Sequence, residues 1–167
     1  MIELLVVRHA IAEDREEFAA TGQSDDLRPL TKRGRGRMDD AARGLASLTE
    51  RPDVIATSPY TRAAETATIV AQAFGGPEPV PVDLLTPDGS FEALASWLRD
   101  KGADAKVAIV GHEPQLSGFV SYLLGARGNV VDLKKGAACL LQVDPSVRPG
   151  SAVLVWALAP GQLRRLK

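Results

Sequence analysis

Two histidines occur in the chain, His9 and His112, and each directly follows a short apolar run: Val6-Val7-Arg8-His9 and Ile109-Val110-Gly111-His112. A third such run, Asp53 to Thr57, leads into Ser58-Pro59-Tyr60-Thr61-Arg62. Imidazole is a nucleophile and an acid–base group near neutral pH. The planar guanidinium fork fits phosphate oxygens. If the three runs are strands of an open parallel sheet, His9, His112, Arg8 and Arg62 meet in the crevice beyond the strands' carboxyl ends, where such sheets bind ligands. The free backbone amides of a helix beginning near Arg62 also favour anions. Two arginines and two imidazoles suit a tetrahedral dianion, and the metal-free chemistry open to them is phosphoryl transfer to a side chain. His9 attacks phosphorus in line, and water then hydrolyses the phosphoimidazole, so that one hard displacement becomes two easier ones. Arg8, Arg62 and a protonated His112 hold the equatorial oxygens as the transition state spreads charge over them. His9 has to be neutral at the attacking nitrogen, which calls for a hydrogen bond from its other nitrogen to a backbone carbonyl.

These side chains need rigid strands behind them. Glu3-Leu4-Leu5-Val6-Val7 is apolar without alternation, as a strand buried on both faces of a parallel sheet should be. Asp53 to Thr57, Lys106 to Val110 and Ala152 to Leu158 read similarly, Cys139 to Val143 adds a fifth strand, and Val80 to Val82 a short edge. Helical patterns lie between them. Thr31 caps one running to about Leu48, with Met38, Ala42, Leu45 and Leu48 on one face. Ser58 before Pro59 opens a second through about Phe74, stopped by Gly75-Gly76. Ser90 caps a third containing Phe91, Leu94 and Leu98, and Pro114 opens a fourth toward Leu124, ended by Gly125. Strands alternating with helices predict a three-layer α/β/α domain with a mainly parallel central sheet. Two loops stand out: Ile11 to Pro29, polar and acidic, and Gly125 to Gly136, which carries Arg127, Lys134 and Lys135. Long loops in small domains are often functional.

A length of 167 residues suits a single domain spanning 1–167. Apolar residues at 45% and charged residues at 25% are ordinary for a packed globular protein. Twenty Lys and Arg against 21 Asp and Glu leave a net charge of −1, so no global field draws in nucleic acid or an anionic membrane, and neither is an expected partner. The one cysteine, Cys139, lies in an apolar run and reads as a buried, inert thiol. The first apolar run, Ile2 to Val7, is too short for a signal peptide or a membrane span, and a cytoplasmic setting is expected. Two histidines without a third ligand at a recognisable spacing, beside arginines that repel a cation, give no metal site and imply no cofactor.

Leu5-Val6-Val7-Arg8-His9-Ala10, the run from Ser58 through Arg62-Ala63-Ala64-Glu65-Thr66-Ala67, and Val110-Gly111-His112-Glu113-Pro114 resemble, in order, the three motifs of the histidine phosphatase superfamily, whose fold is phosphoglycerate mutase-like. Leu27-Arg28-Pro29-Leu30-Thr31-Lys32-Arg33-Gly34 is similar to the leader of the first helix in its SixA-type branch, the phosphohistidine phosphatases. The resemblance covers Leu4 to about Leu124. It implies that His9 is the phosphorylated nucleophile, Arg8 and Arg62 the phosphate-binding arginines, and His112 the second pocket histidine. Ala10 departs from the glycine common after Arg-His, and its methyl group is tolerated if the backbone there is not at positive φ.

The resemblance leaves the proton donor open. Larger relatives protonate the leaving oxygen with an acidic residue from an inserted region for which this chain has little room. Glu13, Asp14 and Glu113 are the nearest acids by sequence. An alkoxide needs that proton, whereas a protonated phosphohistidine ring leaves neutral. A pocket without an acid therefore favours a protein phosphohistidine substrate over phosphomonoesters, nucleotides or other small phosphorylated substrates, with inorganic phosphate as product. The rival readings are a small-molecule phosphatase, a mutase, which needs an enclosed site, and a non-catalytic phosphoryl-binding module. Arg28 is either a surface charge or a residue that closes over the phosphate. Glu65 is expected to pair along its helix face, Arg33, Arg35 and Arg37 to form a solvated face, and Gly111 to make room near the phosphate. Trp97 and Trp156 fit core positions, and a small domain with short loops predicts a shallow site.

Overall fold

The computed structural model describes residues 1–167. Its centre is one six-stranded sheet in the order β3-β2-β4-β1-β5-β6, formed by β1 (Ile2–Arg8), β2 (Val54–Thr57), β3 (Val80–Pro81), β4 (Lys106–Gly111), β5 (Ala138–Val143) and β6 (Ala152–Leu158). The pairs β3–β2, β2–β4 and β4–β1 are parallel, and β5 runs against both its neighbours. The mainly parallel sheet expected from the sequence is present, with one reversed strand.

The apolar run of β1 is continuous because both faces of the strand are covered. Ile2, Leu4 and Val6 join one core cluster with Leu94, Leu116 and Phe119, while Leu5 and Val7 join the other with Met38, Leu45 and Val70. The first cluster packs under α4 (Phe91–Arg99) and α5 (Gln115–Leu124). The second lies under α2 (Lys32–Leu48), α3 (Thr61–Phe74) and the C-terminal α6 (Pro160–Arg164). Gly44 lets α6 lie against α2, since a Cβ there would sit 2.0 Å from the Leu163 carbonyl oxygen. The chain leaving β1 thus continues to a helix on one face, and the chain leaving β4 to a helix on the other. A crevice opens between two adjacent strand ends that lie in register, Arg8 opposite Gly111.

Three helix starts follow their caps: Thr31 Oγ1 accepts from Gly34 N–H, Ser90 Oγ from Ala93 N–H, and Pro114 precedes α5, which Gly125 ends at φ 70°. Four sequence expectations need correction. The third helix begins at Thr61 rather than beside Ser58, whose hydroxyl is engaged elsewhere. The loop from Ile11 to Pro29 contains α1 (Arg15–Ala19) and a 3-10 turn, Asp25–Leu27. β6 is not buried on both faces: it is an edge strand with Val153 64% and Val155 48% exposed. Leu48 ends α2 exposed instead of joining its buried face. Trp97 and Trp156 are half-buried against the two clusters. Cys139 is fully buried, and burial pushes its thiol up to about 12, which leaves it inert. No helix is long and apolar enough to cross a membrane.

Candidate active site

Arg8, His9, Arg62 and His112 line one cleft of about 350 Å³ at the carboxyl ends of β1, β2 and β4, together with Arg15, Asp25, Tyr60 and Glu113. His9 leaves β1 with its backbone N–H donating to the Gly111 carbonyl at the end of β4 (3.0 Å), which couples the two histidine-bearing strand ends. The imidazole centroids are 5.3 Å apart. His9 is 6% and His112 2% exposed, so the two rings are recessed, behind a wall formed by α1 and the turn after it, rather than shallow.

His9 Nδ1–H donates to the Ala10 carbonyl (2.8 Å). A carbonyl only accepts, so the proton resides on Nδ1 and the lone pair on Nε2. Burial above all lowers the His9 pKa to about 3; the hydrogen bond to the Ala10 carbonyl opposes it, and the charges of His112, Arg62 and Arg8 add to the lowering. Ala10 is held by its N–H donating to Thr66 Oγ1 (3.0 Å), whose hydroxyl donates to the Arg62 carbonyl (2.7 Å). One buried threonine of α3 thereby ties the backbone after the nucleophile to the helix carrying Arg62. Ala10 is not at positive φ, and its methyl group is accommodated.

His112 Nε2 lies 2.8 Å from Ser58 Oγ, and Tyr60 packs edge-on against the ring. Burial first, then the Arg62 charge, lower its pKa to about 4. In the free site both rings are therefore neutral near pH 7. Gly111 serves packing rather than the phosphate, because a Cβ there would meet Leu116 Cδ2 and the Leu85 carbonyl oxygen, each at 3.3 Å.

The arginines are held mostly by backbone carbonyls. Arg8 NH1 donates to the Leu133 carbonyl (2.9 Å), and Arg62 NH1 to that of Asp25 (2.9 Å). Arg62 is 3% exposed, and its NH2 also meets Asp25 Oδ2 at 3.2 Å. Burial lowers both arginines' pKa, yet a guanidinium stays charged throughout the working range. Arg28 is no surface charge. It is 6% exposed, its Nε donating to Asp25 Oδ1 (2.9 Å) and its NH1 to the Glu13 carbonyl (2.8 Å), beside an adjoining cleft that it shares with Arg8, His9 and Lys135.

The three acids considered as proton donors are otherwise placed. Asp14 caps α1 by accepting from Glu16 and Glu17 N–H. The Glu13 side chain is exposed at the adjoining cleft. Glu113 reaches the rim of the main cleft, with its carboxylate accepting from Ser117 N–H (2.9 Å) and from the Ser117 hydroxyl. Glu65 pairs with Arg35 and accepts from Leu30 N–H instead of facing Arg62. Sequence reasoning missed Asp25, Ser58 and Thr66. The Ser58 hydroxyl beside the Arg62 motif was a usable signal, whereas Thr66 inside a helix and Asp25 in an acidic loop were not.

A sequence model of the histidine phosphatase superfamily (branch 1) matches residues 4–86. The chain is 39% identical over 137 residues to an uncharacterized protein of Picosynechococcus sp., covering 80% of this chain and 81% of that one. The protein histidine phosphatase SixA, in complex with tungstate, shares the fold with a TM-score of 0.83 at 23% identity, over 96% of this chain and 99% of that one. The phosphoserine phosphatase of Entamoeba histolytica, as an H9A mutant with phosphoserine, has a TM-score of 0.69 at 17% identity, over 96% and 98% of the two chains. The chain belongs to the histidine phosphatase superfamily and is an enzyme of the phosphatase class.

Proposed function

We propose that the protein is a metal-independent phosphohydrolase that forms a phosphohistidine on His9 and takes its phosphoryl group from phosphohistidine carried by proteins. The observation that carries this reading is the His9 Nδ1–H bond to the Ala10 carbonyl, which leaves Nε2 as a neutral nucleophile between Arg8 and Arg62. Nε2 attacks phosphorus in line as the bond to the leaving group breaks. The guanidinium forks gather the equatorial oxygens, and His112, neutral in the free site, gains proton affinity beside the incoming dianion. Water then attacks the phosphoimidazole, the P–N bond breaks, and inorganic phosphate departs with His9 regenerated.

The phosphohistidine preference is supported by the placement of the three acids: Asp14 caps α1, Glu13 is exposed at the adjoining cleft, and the Glu113 carboxylate is engaged with Ser117. It is also in keeping with the activity named for the SixA structure. A second reading, a phosphatase for small phosphomonoesters, is favoured by the recess over His9, which suits an engulfed metabolite better than a flat protein surface does. The experiment is phosphate release, with chelator present, by wild type and His9→Ala from a phosphohistidine protein and from a simple phosphomonoester. Release from phosphohistidine that vanishes with His9, beside slow ester cleavage, supports the proposal. Faster ester turnover selects the second reading, and His9-independent behaviour with both substrates refutes the mechanism.

A further inference from the structure

The cleft wall includes an acidic side chain that the mechanism above does not use. Asp25 lies in the 3-10 turn after α1, and its carboxylate spans two guanidiniums, Oδ1 at 2.9 Å from Arg28 Nε and Oδ2 at 3.2 Å from Arg62 NH2. The side chain is nonetheless 46% exposed, and it lines the cleft with His9 and His112. Fixed negative charge in the wall of an anion site weakens the hold on a dianion. A carboxylate placed there calls for a part of the substrate that is not anionic.

The leaving group supplies that part. In-line attack by His9 sends it to the side of phosphorus opposite Nε2, within a cleft that Asp25 lines together with His9. Of the two acids on the cleft, Glu113 is engaged with Ser117, which leaves Asp25. We propose that Asp25 determines specificity by accepting a hydrogen bond from the protonated imidazole of a phosphohistidine substrate, favouring P–N over P–O cleavage. The inference rests on the phosphohistidine reading of the site.

The groups facing Asp25 are Arg28 on its own turn, Arg15 from α1, Arg62 from α3 and His112 after β4. Burial by itself raises the carboxyl's pKa, but the Arg28 hydrogen bond and the charges of Arg62, Arg28 and Arg15 outweigh it and hold the group below the usual carboxylate range. Asp25 therefore has no proton to give an alkoxide at neutral pH, and it remains a hydrogen-bond acceptor. In the reaction, the substrate ring carries its proton on the nitrogen remote from phosphorus. As His9 Nε2 bonds to phosphorus, the substrate P–N bond breaks and its electron pair returns to the ring, which leaves as neutral imidazole with that proton still in place. No proton transfer is needed. Asp25 raises the fraction of ring in the protonated, reactive form.

The test is Asp25→Asn, which keeps the side chain's shape and the backbone carbonyl bonded to Arg62. It is compared with wild type on phosphohistidine, on p-nitrophenyl phosphate, whose leaving group needs no proton, and for binding of inorganic phosphate. We expect kcat/KM for phosphohistidine to fall roughly ten- to hundredfold and its alkaline limb to move down by about one pH unit. Cleavage of p-nitrophenyl phosphate and phosphate binding should stay level or improve, because a like charge has been removed. An equal loss on both substrates together with weaker phosphate binding would overturn the proposal and make Asp25 a support for Arg62. Full retention on phosphohistidine would overturn it as well. Failure of the underlying reading looks different, because wild type itself would then prefer the ester.

Discussion

Acidification should unfold this protein through its active site. His9 and His112 are buried neutral, with pKa lowered from 6.5 to about 3 and about 4. In the unfolded chain both return to the ordinary imidazole value, so below pH 6.5 the unfolded state binds more protons than the folded one, and stability falls as pH falls. The contribution is complete above 6.5 and is lost progressively toward 4 for His112 and toward 3 for His9. At pH 5 each imidazole sits about 1.5 units below its unfolded value and still above its folded one, which costs about 2 kcal/mol per ring, or about 4 kcal/mol for the pair relative to neutral pH. That is a large share of the about 5–15 kcal/mol typical of a domain. Urea unfolding followed by circular dichroism at pH 7, 6 and 5 gives the slope directly. The His9→Asn and His112→Asn variants should each flatten it by about half. A wild-type slope that neither substitution changes would refute the reasoning, because the loss would then belong to carboxylates elsewhere.

Two further substitutions probe the supports of the site. Thr66→Val removes a hydroxyl but keeps the shape, leaving the Ala10 N–H without its partner, so a loss of about 1–3 kcal/mol in chemical denaturation is expected. A midpoint unchanged from wild type would show that the threonine is dispensable. Ser58→Ala frees the His112 ring, and we expect kcat to fall roughly five- to tenfold while KM changes little; a rise in KM alone would place the hydroxyl in substrate binding instead.

The residues of the candidate site were legible as a cluster because their types are scarce and their settings loud. Each histidine ends a run too apolar to be anything but a buried strand, and the register of Arg8 opposite Gly111 brings the two together as the pattern demanded. Thr66 was not legible, since a threonine inside a helix carries no mark of the amide it will receive from a loop 56 residues earlier. Helix α1 escaped because five residues, two of them glutamates, are too short for periodicity to register. Asp25 sits in a run of acids that reads as solvated chain. Only the fold shows that Arg62, 37 residues away, closes on it.

The two loops that stand out in the sequence shape the field of the site. Each buried guanidinium is fixed by a carbonyl from one of them: Arg8 by Leu133, Arg62 by Asp25, Arg28 by Glu13. A carbonyl orients a guanidinium by its dipole and leaves the full positive charge in place, whereas a carboxylate partner would cancel much of it. Arg8 is therefore left without a carboxylate partner, while Arg28 and Arg62 share one, in a chain whose net charge is −1. The charges of Arg62 and Arg8, added to burial, keep His9 neutral. Of the two carboxylates on the cleft, Asp25 is the one that pairs with guanidiniums, bridging Arg28 and Arg62. The charge it offsets is that of Arg28 and Arg62, while Arg8 beside His9 pairs only with a carbonyl.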